Sequence, residues 1–122
     1  MCSSDLPATP IAYGTVLGCS SLTMTSLGTG ALDSVTTGTF NTGVGTNALT
    51  SVCTGVRNTG VGHISLQSTS TGSNNVALGA SSLSLNVGGS SNIAIGFLSG
   101  SNLLGGDRNV AIGPNKIGRA HV

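Results

Sequence analysis

Asn41 to Arg57 reads NTGVGTNALTSVCTGVR, and the next seventeen residues, Asn58 to Asn74, read NTGVGHISLQSTSTGSN. The opening pentapeptide returns unchanged. A fixed period of this length marks a repeat architecture and governs every other reading of the chain. The step continues in both directions: Asn41, Asn58, Asn75, Asn92 and Asn109 are each seventeen residues apart. Gly28, Gly45, Gly62, Gly79, Gly96 and Gly113 keep the same step, as do Gly38, Gly55, Gly72, Gly89 and Gly106. Three interlocking ladders without slippage define units 24–40, 41–57, 58–74, 75–91 and 92–108, with a partial unit at 109–116.

Each unit carries one strand-like triplet. Thr42/Val44, Thr59/Val61, Val76/Leu78, Ile93/Ile95 and Val110/Ile112 flank a small residue, Gly43, Gly60, Ala77, Ala94 or Ala111. Alternation with β-branched residues predicts a short strand, and we expect its aliphatic side to point inward. A second apolar site follows at Leu32, Leu49, Leu66 and Leu83. A helix is disfavoured, because glycine recurs inside every window and is costly there. Both glycine ladders read as corners that use positive φ. Asparagine also tolerates the left-handed region, and its amide can bond to a stacked neighbour. The fold expected is all-β: a parallel β-solenoid with one lap per seventeen residues, rising about 4.8 Å per lap to a rod roughly 25 to 30 Å long.

Composition narrows the function classes. The 122 residues include 20 Gly, no Trp, two Phe and one Tyr, with 6% charged residues and a net charge of +1. Hydrophobic residues make up 38%, more than a disordered chain carries. So nearly uncharged a chain has no electrostatic basis for holding nucleic acid and no polybasic membrane patch. No apolar run reaches the roughly 18 residues of a spanning helix. Cys19 and Cys53 lack metal-type spacing and read as small core residues.

The two ends need separate treatment. IGRAHV can be encoded by ATC GGA AGA GCA CAC GTC, whose reverse complement reads DVCSSD, and a GTG start turns this into the MCSSD found at the opposite end. Such an inverted word resembles sequencing adapter, so residues 1–6 and 117–122 are set aside and the remainder is expected to be an internal fragment. Residues 7–23 read as an irregular first coil, since Gly18 lies only ten residues before Gly28. Gly100 stands where leucine is expected and is followed by Leu103 and Leu104, which predicts a re-registered second strand in that lap.

Asn-Val-Ala-Leu-Gly, Asn-Ile-Ala-Ile-Gly and Asn-Val-Ala-Ile-Gly, starting at Asn75, Asn92 and Asn109, resemble the head repeats of trimeric autotransporter adhesins. The longer units resemble repeats of bacterial surface proteins and of phage tail fibres that carry an intramolecular chaperone. The resemblance spans about Met24 to Pro114. It implies a left-handed β-roll, a homotrimer displayed on a bacterial cell surface or virion, and attachment to a host or environmental receptor. It carries over no ligand-binding residue and no cofactor. The Asn and Gly ladders are expected to be structural, with no membrane contact by this segment.

Rival chemistries fare less well. Val44 to Leu49, Val61 to Leu66 and Leu78 to Leu83 each fit one hexapeptide of the acyltransferase β-helix, but that fold needs three per eighteen-residue lap. Its base would be His63, whose equivalents are Thr29, Thr46, Ala80, Phe97 and Pro114; without a nucleophile or carboxylate partner it reads as a turn residue. Gly43 to Ala48 matches the dinucleotide fingerprint, yet no helix follows. Gly105-Gly106-Asp107 lacks the Asp ladder of a calcium-binding repeat. Thr25, Thr42 and Thr59 stack as in an ice-binding array, but Val76, Ile93 and Val110 continue the ladder and mark it as inward. Arg57 and Arg108 read as solvated edge charges. No enzymatic activity, metal or cofactor is expected.

Overall fold

The computed structural model describes residues 24–117 and the backbone of residues 119 and 120; the expectations for residues 1–6 and for the first coil at 7–23 fall outside these. The described chain is all-β, with one sheet whose strands follow in sequence order. Six short strands stack in parallel: β1 (Thr25–Leu27), β2 (Thr42–Val44), β3 (Thr59–Val61), β4 (Val76–Leu78), β5 (Ile93–Ile95) and β6 (Asn109–Ile112). Every parallel pairing joins residues seventeen apart, such as Thr42 with Thr59 and Val44 with Val61. A final strand, β7 (Arg119–Ala120), pairs antiparallel with β6. This is a β-solenoid wound from the predicted laps.

The orientation of each strand is opposite to that expected. Ser26, Gly43, Gly60, Ala77, Ala94 and Ala111, the small central residues, are buried. Their neighbours on either side point outward, with Leu78 42%, Ile95 40% and Ile112 62% exposed. The reason is the narrowness of the lap. A Cβ on Gly43 would lie 3.2 Å from Leu32 Cγ, and one on Gly60 3.3 Å from Leu49 Cγ, so the leucine column already fills the space beneath the sheet. Only a hydrogen, a methyl group or, at Ser26, a hydroxymethyl group fits beside it.

That leucine column is the core. Leu32, Leu49, Leu66 and Leu83 are fully buried, joined by Val35, Val52 and the alanines of the strands. In the last full lap Gly100 takes the leucine position and Leu103 packs against the same core. The register does not change there. Gly100 N donates to Lys116 O at 2.7 Å, continuing the bond that Leu83 N makes to Ser99 O at 3.0 Å. Nor is there a second strand in any described lap; the leucines sit in turns whose backbone bonds run from lap to lap.

Both glycine ladders run against the backbone of the next lap, but only one of them also needs positive φ. Gly28, Gly45, Gly62, Gly79, Gly96 and Gly113 have φ between 114° and 131°, beyond the reach of ordinary side chains. The ladder from Gly38 to Gly106 has no positive φ. There the constraint is contact alone: a Cβ on Gly72 would collide with Gly89 O and lie 3.1 Å from Asn75 Nδ2. The Asn ladder is not left-handed either. That conformation falls on the residue just before it, Phe40, Arg57, Asn74, Ser91 or Arg108, with φ of 57° to 61°.

Two further columns are left-handed, Asn47, Ile64, Ser81, Leu98 and Asn115 in one and the core leucines in the other. Each such residue costs about 1 to 2 kcal/mol, most where the side chain is β-branched. Ile64 should therefore be the most strained. Replacing it with Asn, the residue used at positions 47 and 115, is expected to raise stability by about 1 kcal/mol in urea unfolding. Gly62→Ala and Gly72→Ala should each cost about 3 kcal/mol or more, the first through both φ and contact with the Gly79 backbone, the second through contact alone. Gly105→Ala, which meets nothing within 4 Å, should be neutral in the same measurement.

Candidate functional surface: the asparagine ladder and the strand face

Asn41, Asn58, Asn75 and Asn92 are fully buried, and Asn109 is nearly so. Burial of an amide is tolerable only if its donors and acceptor are all engaged. Asn41 Oδ1 accepts from Asn58 N at 2.9 Å and from Asn58 Nδ2 at 3.2 Å. Asn58 Oδ1 accepts from the same two groups of Asn75, both at 3.0 Å. Asn75 Oδ1 then accepts from Asn92 N at 2.9 Å, and Asn92 Oδ1 accepts from Asn109 N at 2.9 Å. Each amide also closes its own lap. Asn41, Asn58, Asn75 and Asn92 donate through Nδ2 to the carbonyls of Gly55, Gly72, Gly89 and Gly106 at 2.7 to 2.8 Å. Among the described residues no buried side-chain polar atom lacks a partner.

Sequence reading missed a second polar ladder. Ser73 Oγ accepts from Val56 N, Ser90 Oγ accepts from Ser73 N, and Asp107 Oδ1 accepts from Ser90 N at 2.7 Å. Its signal was the seventeen-residue step through Ser73, Ser90 and Asp107, obscured because the first member, Val56, has no hydroxyl. The core also holds Thr69 and Asn86 where earlier laps hold Val35 and Val52. Thr69 Oγ1 donates to Asn86 O at 2.8 Å, and the Asn86 amide clasps Gly89 through both Nδ2 and Oδ1.

The residues weighed for chemistry are scattered. His63 is exposed at a turn, directly after Gly62. Arg57 stacks over the Phe40 ring with its guanidinium carbon 5.7 Å from the centroid, an exposed cation–π pair at the edge of the sheet. Arg108 is exposed at the equivalent edge of a later lap, and Asp107 is engaged by Ser90. Cys53 is half-exposed rather than core, its thiol donating to Ser51 O at 3.4 Å, and Cys19 lies outside the described residues. The described residues contain no group of three His, Cys, Asp or Glu side chains able to share a metal ion.

What the fold does present is a continuous outward face. One column is Thr25, Thr42, Thr59, Val76, Ile93 and Val110; the other is Leu27, Val44, Val61, Leu78, Ile95 and Ile112. The threonines thus face outward, which corrects the inward placement that weighed against an ice-binding array. Both columns are free of charge and run the length of the stack. A second exposed aliphatic group, Leu85, Val87 and Leu104, occupies the later laps outside the sheet.

No family model, curated protein or solved structure matches this chain.

The ladder can be tested directly. Asn58→Ala removes the donor to Gly72 O and the acceptor for two Asn75 donors, leaving buried groups unpaired. A loss of about 3 to 5 kcal/mol is expected in denaturant unfolding. Asn109→Ala, whose Oδ1 supports no further asparagine among the described residues, should cost about 1 kcal/mol.

Proposed function

We propose that the chain is a structural and adhesive segment of a surface fibre, a left-handed β-roll in which three copies lie side by side. The observation that supports this best is the outward strand face. Aliphatic side chains there play no part in the core of the single chain, and contiguous exposed apolar surface of this kind marks an interaction site. The face repeats with the strand spacing of about 4.8 Å, so a partner that contacts every lap at once must share that period. Another copy of the same chain has it by construction. The resemblance of Asn75–Gly79, Asn92–Gly96 and Asn109–Gly113 to adhesin head repeats favours three copies and a location on a bacterial surface.

In this reading the segment acts by display rather than catalysis. Three identical outer surfaces on one rigid rod multiply weak contacts with a host or environmental surface, because the second and third contacts form at high effective concentration. A phage tail fibre upstream of an intramolecular chaperone uses the same rod in the same way. An ice-binding face regains its outward threonines, Thr25, Thr42 and Thr59. Against it stand the companion column, which is Leu27, Val44 and Val61, and the end of the threonines at Val76.

Sedimentation equilibrium of the full chain, with far-UV circular dichroism on the same sample, tests the assembly. The expected result is a mass of three chains with a β spectrum. A single-chain mass with that spectrum retained at every concentration overturns the trimer.

A further inference from the structure

The strand face is not uniform along the rod. Its first column reads Thr25, Thr42, Thr59 and then Val76, Ile93, Val110: three hydroxyl-bearing residues followed by three aliphatic ones. Both kinds occupy one position of one fold, paired in register with no break between Thr59 and Val76. The chain therefore shows by its own example that the solenoid does not need aliphatics in this column. Exposed apolar side chains are concentrated in the same way. Among the large exposed hydrophobics of the described residues, only Leu27 and Phe40 precede Leu78. Ile93, Ile95, Phe97, Val110 and Ile112 all follow it.

From this asymmetry we propose that copies of the chain associate through the later half of the strand face, the laps from Val76 onward, while the threonine-bearing laps add little to association. The inference rests on the side-by-side assembly proposed above and specifies where along the rod its contacts lie. Apolar area removed from water supplies the drive for association, and in the first column it is present only from Val76 on. In the earlier laps the second column still offers Leu27, Val44 and Val61, the two valines half-buried, but the hydroxyls of Thr25, Thr42 and Thr59 stay hydrated in the single chain, and contact would have to displace that water. The partner is another copy in the same direction: parallel alignment sets the aliphatic half of one rod against that of the next with the rods overlapping along their whole length, whereas antiparallel rods meet through those halves only by overlapping at their ends.

Two triple variants of the full chain separate the halves by exchanging valine with its near-isostere threonine, and Ile93 with threonine, one carbon smaller. V76T/I93T/V110T extends the threonine column to the end, whereas T25V/T42V/T59V extends the aliphatic column to the start. By sedimentation equilibrium the first should raise the concentration of half-dissociation by about 100-fold or more, and the second should leave it unchanged or lower it. Ile93→Thr alone, the mildest disturbance of folding, should raise it about tenfold. Circular dichroism of each variant checks that the β signal is kept. If the native chain assembles but V76T/I93T/V110T and I93T half-dissociate at the same concentration as the native chain, the inference fails while the assembly stands. If the native chain is a single chain at every concentration, both fail.

Discussion

The buried asparagine amide that opens each lap from Asn41 to Asn109 is the contact on which the rest of the solenoid depends. It works in two directions at once. Along the rod, its oxygen fixes the next lap by holding that lap's backbone N–H, as Asn41 does for Asn58. Around the lap, its nitrogen ties the start to the end through a glycine carbonyl fourteen residues on, as Asn58 does with Gly72. A slip of one residue would leave both groups buried and unpaired, a penalty larger than any local preference of a single side chain. The seventeen-residue period is therefore enforced by hydrogen bonding, and the apolar core fills a tube whose circumference is already set.

Much of this is legible in the amino-acid sequence. The period, the strand positions and the structural role of the Asn and Gly ladders follow from the spacing of residue types. The facing of the strands does not follow, since alternation says that two sides differ without saying which is inside. The usual rule puts aliphatics inward, and here it fails because the leucines from Leu32 to Leu83 occupy the interior first. A signal is nonetheless present. The central column holds only Ser, Gly and Ala, whereas the flanking column mixes Thr with Val and Ile. A position restricted in size but indifferent to polarity faces a confined space, and one indifferent to polarity among larger residues faces outward.

The left-handed columns lie further from reach. Leucine, phenylalanine, arginine and isoleucine in that conformation run against local preference, and nothing in their identity announces it. They adopt it because the backbone bonds to the neighbouring laps over-determine each turn: Leu49 N to Ser65 O, Ile64 N to Thr46 O, Arg57 N to Thr39 O. The glycine ladder from Gly38 to Gly106 is legible as obligatory but not for the right cause. Sequence cannot tell a glycine needed for its torsion and for contact from one needed only because a neighbouring carbonyl passes too close.

The Asn link has a consequence for how such a rod can change length. Since each amide meets the next only through groups that every unit repeats, one whole lap can be gained or lost with all remaining bonds intact. Seventeen residues are then the smallest step that keeps the ladder in register, as the identical openings at Asn41 and Asn58 illustrate. Reach becomes a counted quantity, set by the number of laps.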